Sequence, residues 1–485
     1  MRWWGSDSLW LPRLGLQRGL GLILLLAFLN AFNQFRPLLG EHGLLPVPAF
    51  VKQVPFREAP SLFYAFPNDV AFALFAVAGI LLACLALTGL ADKYTSWISM
   101  AVWGAMWVLY ISFVNAGQIF YAFGWESILL EACFYATFLG ARGTTPQTIV
   151  IWLFRWLLFR VMFGAGLIKL RGDSCWRDLT CLDFHYETQP MPNPLSWFLH
   201  NAPAWTHHGG VLFNHFAELV VPFGYFLPQP VASIAGAITI LFQGSILLSG
   251  NLSWLNALTM VLAFSAFDSR LLTRLIPMHT RAMHAPGLFE RISVVGLGIL
   301  VAILSIPPIR NMLSPGQVMN TTYNPFHLVG TYGAFGSVTR QRQEVVVEGT
   351  VESELTTSTK WREYEFKGKP GTTGRLPPQI APYHLRLDWL MWFAAMAPYD
   401  REPWFEHFME KLLENDGPTL GLLRTNPFPD RPPRYVRALL YQYRFTSPEE
   451  RSRTGQWWRR DLESVYFPAV SLEQGWKEPA NSYSH

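Results

Sequence analysis

The sequence predicts a multi-pass α-helical membrane protein with about nine transmembrane helices, followed by an extracytosolic α+β domain. Three observations lead to this prediction. Of the 485 residues, 51% are hydrophobic and 15% are charged, a composition too apolar for one soluble domain. Apolar runs of membrane-spanning length recur throughout residues 1–309. From residue 310 to residue 485 the composition becomes polar and β-prone, which predicts a second domain.

The nine predicted helices are apolar runs close to the ~20 residues that a helix needs to cross ~30 Å of hydrocarbon. They lie near residues 19–35, 70–90, 95–114, 118–140, 147–168, 211–227, 231–249, 252–267 and 292–307. The first run continues into Asn30, Asn33 and Gln34 instead of a small-residue cleavage site. We therefore expect this helix to be retained and not removed as a signal peptide.

Basic residues predict the orientation. If nine helices alternate, one side of the membrane collects Arg2, Arg13, Arg18, Lys93, Arg142, Arg270, Arg274, Arg281 and Arg291. The positive-inside rule assigns that side, with the N-terminus, to the cytosol. The segments 36–69 and 169–210 and the tail after Ile309 are then extracytosolic. The net charge of +4 is concentrated at these anchors and does not indicate nucleic-acid binding.

Charged side chains interrupt the fourth and fifth predicted helices. Glu126 and Glu131 lie in the fourth, and Arg155 and Arg160 lie in the fifth. Each charge costs ~2.5–3.5 kcal/mol in hydrocarbon unless it is paired. Counting inward from a short turn at 142–145 predicts Glu131 opposite Arg155 and Glu126 opposite Arg160. Two interpretations stay open: ion pairs that fix the helix register, or a polar cavity in which one group does chemistry.

The polar segment 169–210 follows the fifth predicted helix. Its ionisable residues are dense enough for a catalytic site, with the candidates Lys169, Arg171, Asp173, Arg177, Asp178, Asp183, His185 and Glu187. Residues 169–193 should form a rigid plug, held by salt bridges among these charges and by a Cys175–Cys181 bridge. Cys175 and Cys181 lie in the same segment, where an oxidising compartment favours a structural disulfide. A redox-active pair and free thiols are the alternatives.

His215 and Glu218 stand three residues apart on the sixth predicted helix and should share a face. A metal ion would need further ligands from His185, His200, His207, His208 or Asp183. The sequence lacks the HExxH and paired CxxC patterns of common metal sites. A hydrogen-bonded pair that seals the loop onto the helix is therefore favoured, and neither a metal nor a cofactor is predicted.

The tail, residues 310–485, is predicted to be a folded α+β domain. Alternating β-prone residues predict strands within 341–355 and 358–368, and residues 382–398 predict a strand that runs into a helix. Residues 404–416 predict an amphipathic helix, and residues 425–446 predict a proline-rich turn and a final strand. The helix should bury Phe405, Phe408, Leu412 and Leu413. About 170 residues are enough to bury a separate core.

Eight blocks along nearly the whole chain resemble the lipase maturation factor family. They are GWESILLE, FGAGLIKLRGDSCWRDLTCLDFHYETQPMPNP, NHFAELVVPF, SGNLSWLNALTM, QVMNTTYNPFHLVGTYGAFGS, WREYEFKGKPG, PYHLRLDWLMWFAA and NPFPDRPPRYVRA. The resemblance implies a membrane protein that assists the folding and assembly of secreted proteins such as lipases. It also implies that the tail, 310–485, binds the client protein.

The sequence also departs from the animal members of that family. Gly368 and Pro378 stand where those members tend to carry cysteines, the chain begins almost at its first predicted helix, and it ends without a KDEL-like signal. These departures favour a bacterial inner membrane over the endoplasmic reticulum membrane of a eukaryote.

Two classes of function remain. The favoured one is a non-enzymatic maturation factor whose tail and 169–210 segment bind a partly folded client. The alternative is a membrane enzyme that acts on a lipidic or quinone-like substrate at a polar site between the fourth to sixth helices and the 169–210 segment. A space between these helices that is filled by protein would remove the main support for the enzyme.

Overall fold

A computed structural model describes residues 6–275, 277–278 and 282–472. Two of the predicted cytosolic anchors, Arg2 and Arg281, lie outside the described residues.

The N-terminal part is helical. Its first helices are α1 (Trp10–Leu39), α2 (Val47–Gln53), α3 (Asp69–Thr88), α4 (Ser96–Ala116), α5 (Gln118–Tyr121), α6 (Gly124–Ala136), α7 (Thr148–Arg171) and α8 (Ser174–Arg177). They are followed by α9 (Cys181–Thr188), α10 (Ser196–His200), α11 (Ala204–His215), a π-helical turn (Phe216–Val220), α12 (Val221–Gly224) and α13 (Val231–Leu247). The last are α14 (Leu255–Ala263), α15 (Ser269–Leu275), α16 (Leu288–Leu304) and α17 (Ile306–Leu313).

Local signals set the ends of these helices. Before α3, the Asn68 side chain accepts a hydrogen bond from Ala71 N at 3.0 Å, which caps the first turn. After α3, Gly89 has φ +83°, the left-handed conformation that a glycine adopts at a helix C-terminus.

Among the described residues, five helical stretches are long and apolar enough to cross a membrane. They are Asp7–Leu39, Asp69–Thr88, Ser96–Ala116, Thr148–Arg171 and Leu288–Leu313. A sixth span is obtained if Leu255–Ala266 and Ser269–Leu275, bent by 116°, are taken together. The predicted runs 118–140 and 211–227 are divided into shorter helices, and 231–249 contains a helix of 17 residues. The coarse prediction of a multi-pass protein is confirmed, but these lengths do not confirm nine spans.

Residues 314–341, which we name the return segment, form no helix or strand and reach back into the bundle. The segment runs beside α7, where Gln317 Nε2 donates to the Gly164 carbonyl at 3.0 Å and Asp173 N donates to the Gly336 carbonyl at 2.8 Å. A Cβ on Gly164 would lie 2.6 Å from the Tyr332 carbonyl oxygen, so this close approach requires glycine. Irregular backbone is tolerated at membrane depth where it is buried in protein.

The tail forms one antiparallel sheet with helices against it. Its elements are β1 (Arg342–Thr350), β2 (Arg362–Glu363), α18 (Arg386–Ala394), α19 (Pro403–Leu413), α20 (Gly417–Leu420), β3 (Tyr435–Phe445), α21 (Pro448–Thr454) and β4 (Trp458–Val470). The strand order is β2-β1-β3-β4. The amphipathic helix is confirmed as α19, which buries Phe405, Phe408, Leu412 and Leu413.

Two predictions for the tail are wrong. Residues 382–398 form α18 without a preceding strand, and the strand predicted as the last one, β3, is followed by α21 and β4. A capping box at Ser447 starts α21, and Gly455, with φ +71°, ends it and turns the chain back into β4. Four charges between Arg459 and Glu463 hide the strand pattern of β4 from a sequence reading.

The apolar core is continuous from the bundle into the tail. One cluster of buried side chains includes residues of α1, α4, α6, α7, α18, α19, β1 and β3. At the boundary, the Trp125 and Trp389 rings lie 5.0 Å apart and the Phe120 and Trp404 rings lie 6.0 Å apart. The tail therefore shares its core with the bundle and does not have the separate core expected from its length.

Candidate functional site

Glu131 on α6 and Arg160 on α7 form a buried ion pair. Glu131 also accepts hydrogen bonds from the Tyr332 hydroxyl at 2.8 Å and from Val329 N at 3.1 Å. Arg160 donates to the Gly330 carbonyl oxygen at 2.8 Å. Three partners of this pair thus lie on the return segment, so the two charges supply the hydrogen bonds that its backbone needs inside the bundle.

Glu126 on α6 pairs with Arg386, at 2.8 Å, and neither side chain has exposed surface. Arg386 begins α18 of the tail. Its guanidinium also donates to Asn30 Oδ1 and to the Phe120 carbonyl, both at 2.7 Å, and its backbone N–H donates to Gln34 Oε1 at 3.0 Å. A single tail residue is therefore bound by α1, α5 and α6.

The predicted pairs Glu131–Arg155 and Glu126–Arg160 are wrong. Helix α6 ends at Ala136 and α7 begins at Thr148, so the connection is much longer than the short turn from which the register was counted. A count along two helices also cannot include a partner from a third element. For Glu126, that partner is Arg386 of the tail.

Arg155 binds backbone carbonyl groups at two helix ends and not a carboxylate. It donates to the carbonyl oxygens of Tyr225 and Ser265, at 2.9 and 2.8 Å. Tyr225 follows α12, and Ser265 lies in the turn after α14. Carbonyl groups at helix C-termini lack intrahelical partners and favour a cation, so Arg155 is satisfied without a carboxylate.

The return segment enters the space between α6 and α7 in which a catalytic cavity was considered, with its backbone and with Tyr332. A cleft beside Arg160, lined also by Gly164, Asn311 and Tyr332, has a volume of about 200 Å3 that includes space open to solvent. The return segment thus takes up space that the membrane-enzyme hypothesis assigned to a substrate.

Lys169, at the end of α7, binds the π-helical turn. Its Nζ lies 2.7 and 2.8 Å from the two carboxylate oxygens of Glu218 and 2.8 Å from Asn214 Oδ1. His215 does not pair with Glu218, and its Nε2 lies 2.9 Å from the Trp176 carbonyl oxygen. The two residues thus bind the 169–210 segment and the end of α7 through separate partners, as the prediction of a sealed segment requires. The prediction of a direct hydrogen bond between them is wrong.

The histidines considered as metal ligands lie in different surroundings. His207 contacts Asp183, at 2.7 Å, and the Leu199 carbonyl, at 2.7 Å. His185 packs edge-on against the Phe335 ring, and burial, with Lys169 nearby, lowers the pKa of its imidazole to about 4. Within the described ranges, no three His, Cys, Asp or Glu side chains are close enough to hold a metal ion.

Most charges in the 169–193 stretch are not paired with one another, contrary to the prediction. Asp173 pairs with Arg340 of the return segment at 2.7 Å, and the hydrogen bond from that guanidinium lowers the pKa of Asp173 to about 2. Arg171 donates to Gln317 Oε1 at 2.8 Å. For Asp173 and Arg171, the partners belong to the return segment, which is distant in sequence.

Two further candidates lie at the surface. Arg177 donates to the Leu170 carbonyl oxygen at 2.7 Å, in an exposed position, and Asp178 is exposed. Neither side chain faces the buried polar clusters described above.

Cys175 and Cys181 are joined by a disulfide, and both are buried. Trp176, between them, donates its indole N–H to the Phe335 carbonyl at 2.8 Å. The Lys169 ammonium lies 4.9 Å from the centre of the Trp176 ring. The segment is therefore held to both α7 and the return segment.

Arg342 of β1 clamps the end of α9 to the sheet, and sequence reasoning missed it. It donates to the carbonyl oxygens of Glu187 and Pro190, both at 2.9 Å, and pairs with Glu344 at 2.5 Å. Glu187 accepts from Phe445 N at 2.6 Å, and burial raises the pKa of its carboxyl group. The only sign of this contact in the sequence was the pair of opposite charges at 342 and 344 beside the valines of the strand.

The candidate residues thus bind different elements and do not converge on one reaction centre. What they do together is join the bundle, the 169–210 segment and the tail. The fold and these contacts define an integral membrane protein of several spans whose C-terminal sheet domain is joined to its helical bundle by the buried ion pair Glu126–Arg386.

The chain belongs to the lipase maturation factor family. The sequence profile of the lipase maturation factor transmembrane domain matches residues 11–274, and that of the lipase maturation factor C-terminal domain matches residues 328–468.

Curated relatives agree along nearly the whole length. The chain is 46% identical to lipase maturation factor 1 of Bos taurus, over 96% of this chain and 90% of the relative. It is 44% identical to lipase maturation factor 1 of Homo sapiens, over 97% of this chain and 89% of the relative. Lipase maturation factor 2 of Gallus gallus is 29% identical, over 95% of this chain and 81% of the relative. No solved structure matches the chain.

Proposed function

We propose that this protein is a membrane-anchored maturation factor that assists secreted lipases to fold and assemble. The observation that carries the proposal is that similarity to lipase maturation factors spans the bundle and the tail together. The buried Glu126–Arg386 pair joins the same two parts, and the Glu131–Arg160 pair binds the return segment that leads from one to the other. In this proposal the bundle anchors and orients the tail, and the tail with the 169–210 segment binds the client.

The tail is proposed to be extracytosolic. Arg13 of α1 donates to the Ala141 carbonyl at 2.8 Å, and Arg18 pairs with Asp92 at 2.7 Å, so basic residues collect at one end of the bundle. At the other end of α1, Gln34 binds the tail. The 21 residues from Arg13 to Gln34 rise about 32 Å along a helix, which is close to the thickness of the hydrocarbon core. The positive-inside rule then gives the two ends their sides.

Nine crossings are proposed, and one of the runs with shorter helices, 118–140, has contacts at both ends of the bundle. Gln17 Nε2 donates to the Gly140 carbonyl at 3.0 Å, near the basic end, whereas Glu126 contacts the tail. The stretch of α6 and its following turn therefore runs from one end to the other. The extracytosolic side is the periplasm in a bacterial host and the lumen of the endoplasmic reticulum in a eukaryotic host.

Reporter fusions test this topology. A phosphatase that is active only outside the cytosol, fused after Arg274 or after Thr350, should be inactive in the first position and active in the second. Equal signals at both positions would contradict the proposed crossings.

Co-expression tests the function. A dimeric lipase of the lipoprotein lipase type should be secreted with higher activity per unit mass when this chain is present in cells that lack a maturation factor. The matched control is the double variant Glu126→Gln/Arg386→Gln, in which the junction between tail and bundle is weakened. Unchanged specific activity with the wild-type chain, expressed and folded, would contradict the proposal.

A further inference from the structure

The two edges of the tail sheet differ. At the β1 edge, Tyr364 N donates to the Val347 carbonyl at 2.9 Å and Lys369 Nζ donates to the Val345 carbonyl at 3.1 Å. Eight of the nine β1 residues are buried. This edge is therefore covered by the protein itself, although β2 pairs with only two of its residues.

The β4 edge is open. Strand β4 is 13 residues long, and residues 461–465 are all exposed. Because side chains alternate between faces along a strand, five exposed residues in succession mean that both faces are open there. Within the described part of the chain, β4 pairs only with β3. The outer N–H and C=O groups of residues 461–465 are thus available for another strand.

A bulge places two apolar side chains on one face of this edge. Tyr441 pairs with Leu462 and Leu439 pairs with Val465, so one extra residue of β4 is accommodated between them. Since Tyr441 and Leu439 share a face, their partners Leu462 and Val465 share it too. Their side chains are 60% and 63% exposed. Val346, Leu439 and Val465 form a row across three strands that ends at the open edge.

We propose that residues 461–465 of β4 accept an extended segment of an incompletely folded client as a fifth strand of the sheet. This proposal rests on the proposed function and names the mode of client binding. Backbone hydrogen bonds along the edge supply affinity that is independent of client sequence. The side chains beside them determine which client segments bind. The segment that fits has apolar residues beside Leu462 and Val465.

Charge argues against the other occupants of this edge. Four charged residues, Arg459, Arg460, Asp461 and Glu463, lie within five positions of this edge strand, and charged side chains are costly in hydrocarbon, so the edge does not face lipid. Antiparallel pairing of two copies centred on Glu463 would bring this carboxylate beside its own counterpart, and like charges directly opposite each other destabilise a sheet. Self-pairing in another register would appear as a dimer of this chain. An unfolded client carries neither restriction.

Site-specific photo-cross-linking tests the contact. The full-length chain in detergent carries benzoylphenylalanine at Leu462 or Val465, and the probe is a reduced and alkylated dimeric lipase. Leu355, 42% exposed in a loop of the same domain, is the matched control position. We expect at least about fivefold more cross-linked lipase from the β4 positions than from Leu355, as for a localised contact. Equal yields would overturn the proposal.

A substitution series gives an independent result. Leu462→Lys/Val465→Lys should reduce capture of the same probe at least about tenfold with an unchanged melting temperature, whereas Leu355→Lys should not. Amides of 461–465 should gain protection from hydrogen exchange when the lipase binds. Unchanged capture by the double variant would overturn the strand proposal. So would protection of the 461–465 amides without lipase, whether it is lost when a dimer of this chain dissociates or lost from a chain that ends at Leu472.

Failure of this proposal is distinguishable from failure of the proposed function. If the double variant still raises lipase specific activity as the wild type does, the edge proposal falls and the maturation function stands. If the wild-type chain raises no activity, the proposed function falls irrespective of β4.

Discussion

Two sets of charges connect the C-terminal region to the helical bundle, and they differ in their access to water. Glu126 and Arg386 have no exposed side-chain surface, whereas the side chains of Asp173 and Arg340 are 17% and 42% exposed. A charge that loses its partner is rehydrated at the surface but not in the interior. We infer that the buried, inner pairs, Glu126–Arg386 and Glu131–Arg160, determine the stability of the junction. The partly exposed, outer pair, Asp173–Arg340, affects only the local order of the 169–193 stretch.

Removing one inner charge should have the largest effect. Arg386→Gln leaves Glu126 buried without its cation and should lower the free energy of unfolding by ~3–5 kcal/mol. Glu126→Gln/Arg386→Gln should lose less than the sum of the single variants, because no charge is left uncompensated. Thermal unfolding in detergent measures the three variants. Arg459→Gln removes an exposed arginine of the same domain and should leave the midpoint nearly unchanged. Strictly additive losses would mean that Glu126 and Arg386 do not interact.

The second inner pair, Glu131–Arg160, can be compared with Arg155, a buried arginine of the bundle that binds backbone carbonyls and not a carboxylate. Glu131→Gln and Arg160→Gln should be strongly non-additive. Glu131→Gln and Arg155→Gln should instead add within ~0.5 kcal/mol, because Arg155 binds backbone carbonyls. Double-mutant cycles of the unfolding midpoint test both statements. A coupling between Glu131 and Arg155 would show that the register described here is wrong.

The outer pair should have a smaller, pH-dependent effect. The pKa of Asp173 is lowered to about 2 by Arg340, so its contribution is present above the unfolded pKa near 4 and is lost as the pH falls towards 2. Solvent screening of this pair limits the contribution to less than ~1 kcal/mol. Unfolding midpoints between pH 5 and pH 2 should fall more for the wild type than for Asp173→Asn. Parallel curves would mean that this ion pair contributes nothing.

The smallest effect is expected at the exposed charges of the same stretch. Arg177→Ala and Asp178→Ala should change stability by no more than ~0.5 kcal/mol, because neither side chain is in a buried cluster. The lipase-activation assay and the melting temperature are measured on the same preparations. Loss of activation at an unchanged melting temperature would show that these two residues form a functional site on the outer surface.

Much of the fold follows from residue type alone. A bilayer selects apolar residues over a fixed length whatever their neighbours, so the runs that became α1, α3, α4, α7 and α16 are visible in the sequence. The amphipathic spacing of Phe405, Phe408 and Leu412 likewise identifies α19. The charges at Glu126, Glu131, Arg155 and Arg160 are visible too, as residues that lipid would not tolerate unpaired.

The partners of those charges were decided by tertiary structure. Arg386 lies 260 residues from Glu126 in the sequence, and Tyr332 and Val329 reach Glu131 through a segment without helical or strand periodicity. No local spacing rule connects such residues, because a buried charge is satisfied by whichever donor the packed chain brings within about 3 Å. Strand β4 was hidden for a related reason: an edge strand exposed on both faces has no apolar alternation to reveal it.

The sequence by itself thus determined that the chain crosses a membrane, where its charged interruptions lie and which family it belongs to, because these depend on residue type and order. Only the tertiary structure decided that Glu126 and Glu131 hold the C-terminal region instead of lining a reaction cavity. It also decided that the sheet keeps one edge covered and one edge open. The physical reason is that ion pairing and strand pairing depend on distances between atoms, and chain folding sets those distances independently of separation along the sequence.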